Sequence, residues 1–124
     1  MDTMRWLGPG GGLSLLDQRG LPLRVEYVVC RTCGEVAEAI RNMVVRGAPA
    51  IGVAAAYGVA LAAAESMDAG DGWAEAMDLK IRELRGARPT AVNLAVAVDR
   101  MAARARVLPR DGLVEGLDKL AREM

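Results

Sequence analysis

A long uncharged stretch of the sequence runs from Ala48 to Ala64 and consists mainly of alanine and glycine. It falls short of the roughly 18–20 residues that a membrane-spanning helix needs, and it contains few leucines or isoleucines. We therefore predict a buried helix in a soluble protein. Buried apolar surface stabilises a fold by roughly 25 cal/mol per Å². Because small side chains each bury little of it, we also expect close helix packing and modest stability.

Charge and residue usage exclude several classes of function. The 16 Lys and Arg residues balance the 16 Asp and Glu residues, so the chain lacks the basic field that nonspecific nucleic-acid binding requires. It has no histidine, the commonest metal ligand and general acid–base group near neutral pH. Met1–Gly12 shows no apolar core of a secretory signal, and two cysteines fit a reducing compartment. We expect a cytoplasmic protein that binds neither nucleic acid nor membrane.

The first thirty residues have the patterns of short strands separated by tight turns. Strands are predicted at Met4–Leu7, at Leu13–Asp17 and at Leu23–Val29. The third of these shows the period-two alternation of a half-buried strand, in which the apolar set is Leu23, Val25, Tyr27 and Val29. Short connections favour two or three antiparallel strands in meander order.

From Thr32 onward, apolar residues recur at helical spacing. Thr32 and Glu35 form a capping box for a first helix, and its apolar stripe is Val36, Ile40, Met43 and Val44. Further helices are predicted from Pro49 to Met67, from Trp73 to Gly86, from Pro89 to about Pro109 and from Leu113 to the chain end at Met124. The predicted fold is α+β and mainly helical, with a small antiparallel two- or three-stranded sheet followed by a bundle of about five helices.

Two arginines directly precede helices that begin with small residues or proline. Arg46 is followed by Gly47 and Ala48, and Arg88 is followed by Pro89. Helix N-termini carry unpaired N–H groups and a partial positive charge, which suit phosphate, and an arginine adds charge-assisted hydrogen bonds. The competing interpretation of each segment is an ordinary helix start with a solvated arginine. Spacing alone does not decide whether the two starts face the same way.

Cys30, Cys33 and Asp17 are the remaining chemical candidates. A C-x-x-C pair at a helix start can lower a thiol pKa and support redox chemistry. No second pair and no histidine accompany these cysteines, so a four-ligand zinc site is not favoured, and we expect two incidental thiols. For Asp17, a buried acid, a partner for an arginine and a turn residue all stay open, of which the turn residue is the commonest.

Three segments, Leu15–Arg19, Glu35–Gly52 and Arg88–Leu94, together resemble the N-terminal region of the methylthioribose-1-phosphate isomerases. This family is related to the regulatory subunits of a translation initiation factor's exchange complex, in the initiation factor 2B-like superfamily. The complete strings Arg46–Gly52 and Arg88–Asn93 resemble the isomerases more than the factor subunits. The resemblance extends, in order, over essentially the whole chain.

The resemblance implies a cofactor-independent aldose–ketose isomerisation in methionine salvage, without a metal, by a protein that is a homodimer at full length. It also implies that Arg46, Gly47, Ala48 and Arg88 bind the sugar phosphate. The catalytic residues it implies, a Cys and an Asp, belong to a C-terminal Rossmann-like domain outside these residues. Cys30 and Cys33 match no catalytic position of the family.

We therefore expect residues 1–124 to be an N-terminal substrate-binding domain that needs the missing C-terminal domain and is inactive alone. The last predicted helix reaches Met124 without a stop residue, which favours an incomplete chain. Three alternatives stay open: a ribose-1,5-bisphosphate isomerase-like domain, a noncatalytic regulatory or assembly module like the initiation-factor subunits, and a redox module built on Cys30 and Cys33.

Overall fold

The structure, a computed structural model, describes residues 3–124 and contains a small sheet followed by five α-helices. Met1 and Asp2, where the predicted domain begins, lie outside the described residues. The strands are β1 (Met4–Trp6), β2 (Leu13–Leu16) and β3 (Tyr27–Cys30), which pair antiparallel in the order β1-β2-β3. The α-helices are α1 (Cys33–Arg41), α2 (Ala48–Ser66), α3 (Trp73–Arg85), α4 (Val92–Val107) and α5 (Leu113–Arg122). The predicted fold class is confirmed.

Helix α2 is the centre of the bundle. It packs against α1, α3, α4 and α5, and 11 of its 19 residues are buried, on all of its faces rather than along one stripe. The segment Ala48–Arg85 contains an apolar 18-residue window with a mean hydropathy of 1.5, which by length and composition alone would pass for a membrane span. Because 67% of that apolar window is buried inside the fold, we assign it to the protein core, as predicted.

Small residues of α2 let its neighbours approach closely. At Gly58, an added Cβ would lie 2.9 Å from a methyl group of Leu84 in α3 and 3.2 Å from a methyl group of Val36 in α1. At Gly52, an added Cβ would contact Asn93 of α4, 3.5 Å from its carbonyl oxygen. Glycine inside a helix lowers helix stability by about 1 kcal/mol relative to alanine. At these two positions glycine also allows close contact between neighbouring helices.

The sheet is joined to the bundle by a tryptophan. Trp6 of β1 stacks on Tyr57 of α2 with a centroid separation of 4.5 Å. Its indole N–H also donates a hydrogen bond to the carboxylate of Asp118 in α5, at 2.6 Å. One side chain therefore connects the first strand to both the central and the last helix.

The third strand is shorter than predicted, and the apolar residues that were predicted to form its buried face lie on its exposed face. It pairs with β2 only from Tyr27, opposite Leu16, to Cys30. Since β2 ends at Leu16, residues 23–26 have no strand to pair with. Val28 and Cys30 pack towards the core, whereas Leu23 is 93% exposed. The period was predicted correctly, but the buried face was not.

The first helix ends earlier than predicted. The capping box at its start is confirmed, with the Glu35 N–H donating to the Thr32 hydroxyl at 3.1 Å. However, α1 ends at Arg41, and Met43 follows in a left-handed conformation with φ 64°. Met43 was predicted on the buried stripe of the helix and is instead 42% exposed. A non-glycine residue in this region costs of order 1 kcal/mol.

The last two helices also differ at their ends from the prediction. A turn closed by the Ala91 N–H and the Arg88 carbonyl at 2.9 Å comes before α4, so Pro89 precedes the helix instead of occupying its first turn. Helix α5 was predicted to reach Met124 and ends at Arg122. At its end, the carbonyls of Leu120 and Ala121 accept hydrogen bonds from the backbone N–H groups of Glu123 and Met124, each three residues further along the chain.

The close packing at Gly58 gives a stability test. We expect Gly58→Val to lower the free energy of unfolding by about 1–3 kcal/mol, because the new side chain overpacks the contact with Val36 and Leu84. Gly34, a helical glycine on the exposed side of α1 with nothing closer than 3.9 Å to an added Cβ, supplies the control. Urea unfolding of Gly34→Val should change by no more than about 0.5 kcal/mol, and equal losses in the two variants would contradict the packing argument.

Candidate anion-binding site

The two arginine-led helix starts come together in one cavity. Arg46 precedes α2 and Arg88 precedes α4, and both line a cavity of about 340 Å³ between the N-terminal ends of these helices. Gly47 and Ala48 line the same cavity. All four residues that the sequence singled out for substrate binding are therefore neighbours around one space. The other lining residues are Met43, Ile51, Thr90, Ala91, Val92 and Asn93.

The packing of α2 against α4 is what brings the two segments together. Gly52, in the second turn of α2, lies against Asn93, in the first turn of α4. Because this contact is close to both N-termini, the residues just before each helix must lie at the same end of the bundle. The cavity is the space left between those two segments.

Both helix starts leave backbone donors without a side-chain partner. The N-cap residues are Gly47 for α2 and Ala91 for α4, and neither supplies a capping hydrogen bond. The first N–H groups of a helix have no partner within the helix and carry a partial positive charge. Two such ends beside one cavity favour a bound anion.

The arginines of the cavity add to this positive field. Six of the other twelve arginines pair with carboxylates, as Arg85 does with Asp99 at 2.8 Å. Within residues 3–124, neither Arg46 nor Arg88 forms a salt bridge, and no Asp or Glu lines the cavity. Arg46 is exposed and Arg88 is half-buried. A guanidinium without a carboxylate partner is available for bidentate contact with phosphate.

Gly47 has a backbone that other residues rarely adopt. Its φ of 92° and ψ of 132° lie in a region that is populated almost only by glycine. An added Cβ would meet no atom within 4 Å, so conformation and not space requires glycine here. Since Gly47 joins Arg46 to α2, its backbone sets the direction in which the chain enters the helix.

The cavity has the groups for binding but not for proton transfer. Its polar side chains are the two arginines, the hydroxyl of Thr90 and the amide of Asn93. Among the described residues that line it, there is no carboxylate, thiol or lysine that could act as a general acid or base. The arrangement can hold an anionic ligand of sugar-phosphate size, because its volume is within the roughly 300–1,000 Å³ of small-molecule sites.

Comparison with known proteins assigns the chain to a family. Residues 44–123, which include both helix starts, match the model of the "Initiation factor 2 subunit family". The chain belongs to this family. The match confirms the family resemblance that the sequence motifs indicated.

Several curated relatives of this family member share one name. Methylthioribose-1-phosphate isomerase of Nitratidesulfovibrio vulgaris is 57% identical over 89 residues, which are 72% of this chain and 25% of the relative. The enzyme of the same name from Ectopseudomonas mendocina is 52% identical over 106 residues, which are 86% of this chain and 30% of the relative. The chain thus spans less than a third of the length of these relatives.

Two solved structures share the fold of the chain. The 5-methylthioribose 1-phosphate isomerase of Pyrococcus horikoshii superposes with a TM-score of 0.85 at 31% identity, over 98% of this chain and 35% of that one. The delta subunit of translation initiation factor eIF-2B from A. fulgidus superposes with a TM-score of 0.79 at 36% identity, over 99% of this chain and 36% of that one. The family fold therefore occurs in both an enzyme and an initiation-factor subunit.

The two cysteines of this family member lie in the core, away from the cavity. Burial is the main cause that raises the pKa of the Cys30 thiol to about 11 and that of Cys33 to about 12, and the nearby carboxylates of Glu35 and Glu65, respectively, contribute to these values. Both thiols contact backbone carbonyl oxygens as donors, at 3.5 Å to Glu35 and 3.6 Å to Lys80. A reactive thiol needs the opposite shift, so these are structural side chains. No cluster of possible metal ligands occurs in the part of the chain that the structure describes.

Asp17 belongs to a turn. Its carboxylate accepts hydrogen bonds from the backbone N–H of Arg19 at 3.0 Å and from the Arg19 guanidinium at 2.9 Å and 2.8 Å. The side-chain hydrogen bond from Arg19 is the main reason that the pKa of Asp17 is lowered. Arg19 also lines a second cavity of about 250 Å³ with Glu35 and Glu38. Because that arginine is already paired and the other charges there are negative, this cavity does not suit an anion.

The raised thiol pKa values predict low reactivity in the folded state. At pH 8 a thiol with a pKa of about 11 is a thiolate in roughly one molecule in a thousand. We expect iodoacetamide to modify Cys30 and Cys33 at least about 100-fold more slowly in the folded chain than in concentrated guanidinium chloride, where the thiols regain ordinary pKa values. Rapid alkylation of either residue in the folded chain, followed by mass spectrometry, would contradict the structural role.

Proposed function

We propose that residues 1–124 form the N-terminal, substrate-binding domain of a methylthioribose-1-phosphate isomerase. The observation that carries the proposal is the convergence of Arg46, Arg88 and two uncapped helix starts on one cavity free of carboxylates. It is supported by relatives more than 50% identical over most of the chain that have this name. The reaction converts 5-methylthioribose 1-phosphate into 5-methylthioribulose 1-phosphate, a step of methionine salvage.

In this proposal the phosphate of the sugar binds between the starts of α2 and α4. Backbone N–H groups at Gly47 and Ala48 donate to its oxygens, while Arg46 and Arg88 supply charge-assisted hydrogen bonds from two sides. A dianion suits this position, since the helix dipoles and both guanidinium groups favour negative charge. Holding the phosphate from two helices also fixes the direction of the sugar, which a single contact would leave free to rotate.

The chemistry itself requires groups that this cavity lacks. In the isomerisation, the bond between C1 and the ring oxygen breaks, the C2 hydrogen moves to C1, and the C2 hydroxyl proton is in effect transferred to the ring oxygen. These transfers need a general acid and base close to C1 and C2. We propose that a C-terminal domain supplies them, through the Cys and Asp that the family resemblance implies, and that the residues described above bind and orient the substrate.

The protein in this proposal is a cytoplasmic enzyme that works without a cofactor or metal and forms a homodimer at full length. It binds neither nucleic acid nor membrane, in keeping with its zero formal net charge and with the burial of its apolar helix α2.

A ribose-1,5-bisphosphate isomerase-like domain would use the same phosphate site but needs a second cationic site for its second phosphate.

A second candidate function is a regulatory or assembly module. The similarity to the A. fulgidus initiation-factor subunit, at 36% identity over nearly the whole chain, favours it. A module of this kind uses its surface for partner binding, and its arginines at the helix starts would serve the fold or a partner rather than a sugar phosphate. The two candidates therefore differ in whether the cavity binds a ligand.

Replacement of Arg88 separates the two candidates. We expect Arg88→Ala to weaken the binding of 5-methylthioribose 1-phosphate by roughly 10- to 100-fold, since a hydrogen bond to a charged group is lost. NMR titration of the chain, which detects millimolar affinity, measures the effect. The matched control is Arg104, an exposed residue of α4 that lies roughly 18 Å from the start of that helix. Arg104→Ala should bind the sugar phosphate like the unchanged chain. Equal affinities of the Arg88 and Arg104 variants would favour the regulatory module.

The division of labour predicts binding without turnover. We expect the purified 124-residue chain to bind the substrate and to show no isomerase activity above background, because the cavity has no acid–base group. A coupled assay for the ketose product measures the rate. Activity close to that of the full-length relatives would show that the catalytic groups lie within these residues, and would refute the assignment of catalysis to another domain.

A further inference from the structure

Met43 lies in a backbone position that normally favours glycine. It follows the last turn of α1, where the Val44 N–H donates to the Ala39 carbonyl at 2.9 Å and the Met43 N–H donates to the Ile40 carbonyl at 3.3 Å. These two hydrogen bonds are typical of a helix end at which the residue after the C-cap adopts the left-handed conformation, and that residue is most often glycine. Among residues 3–124, Met43 is the non-glycine residue with positive φ.

Packing in the core does not account for a methionine at this position. Met43 is 42% exposed, whereas Val44 and Val45 beside it are each 4% exposed. The hydrogen bonds that end α1 are formed by backbone groups, so glycine or asparagine would form them with less strain. Residues held in sparsely populated backbone regions cluster at active sites and ligand-binding sites.

The side chain of Met43 lies at the candidate site. It lines the same cavity as Arg46 and Arg88. Two further large apolar side chains, Ile51 and Val92, line this cavity, and Val92 is 72% exposed. The cavity therefore combines cationic groups with apolar side chains, and a matching ligand has a phosphate and an apolar substituent.

We propose that Met43 is a specificity-determining residue that contacts the apolar substituent of the sugar phosphate. The inference rests on the proposed function, in which that substituent is the methylthio group on C5. Methionine suits the contact because it is unbranched and polarizable and adapts to the shape of a neighbouring sulfur group. Ribose 1-phosphate, which has a hydroxyl at C5, would keep the phosphate contacts and lose this one.

The test compares two ligands across three variants of the chain. Dissociation constants for 5-methylthioribose 1-phosphate and ribose 1-phosphate are measured by NMR titration for the unchanged chain and for Met43→Gly, Met43→Asn and Met43→Leu. Gly and Asn tolerate the left-handed backbone and remove the apolar side chain, whereas Leu retains it. We expect the preference for the methylthio sugar to fall by roughly tenfold in the Gly and Asn variants, with unchanged affinity for ribose 1-phosphate, and to persist in the Leu variant.

The outcomes distinguish this inference from the function on which it rests. If the Gly and Asn variants both keep the original preference, while Arg88→Ala weakens both ligands, Met43 has no role in specificity and the proposed function stands. If the unchanged chain binds neither sugar phosphate, the proposed function and the role of Met43 fail together. A loss of affinity for both ligands alike in the Gly and Asn variants would also overturn the inference, because it would show a general effect on the site.

Discussion

The burial of α2 is the constraint on which the rest of the structure depends. Its faces are made of small apolar residues, and no single surface can cover it, so four other helices surround it. Alanine and glycine bury little area each, and the compensation is close approach, as at Gly58 against Leu84 and Val36. Close approach in turn fixes where α4 lies, because Gly52 admits Asn93 near the start of both helices. The candidate site is thus a consequence of core packing.

The helices of this protein differ in how the backbone donors at their starts are satisfied. At α1, the Thr32 and Glu35 side chains satisfy the first backbone donors, and the Glu65 carboxylate accepts from the Cys33 N–H at 2.8 Å. Among the described helices, no side chain caps α2, α3, α4 or α5. A short 3-10 turn leads directly into α3 and α5, whereas the starts of α2 and α4 adjoin the cavity. A missing cap costs about 1 kcal/mol of helix stability, and at α2 and α4 it leaves backbone donors beside the cavity. The same arrangement serves the proposed phosphate site.

The family contains proteins of different function on one fold. The chain is 31% identical to the P. horikoshii isomerase and 36% identical to the A. fulgidus initiation-factor subunit in the superposed structures. Overall similarity therefore does not separate an enzyme domain from a regulatory one, and function has to be argued from the site. The contrast between cationic and apolar groups around one cavity is the property that favours a small phosphorylated ligand with an apolar end.

Local patterns in the sequence determined the element types. Helical periodicity, the capping box at Thr32 and the uncharged run that became α2 depend on residues within a few positions of one another, so the α+β class, the burial of α2 and both arginine-led helix starts were predictable. Contacts between distant segments decided the rest. The extent of β3 depended on where β2 ends, and its buried face depended on the packing of Val28 and Cys30 against the core. The left-handed backbone of Met43 depended on where α1 ends. That Arg46 and Arg88 share one cavity followed only from the packing of α2 on α4, because sequence spacing does not contain the relative orientation of two helices.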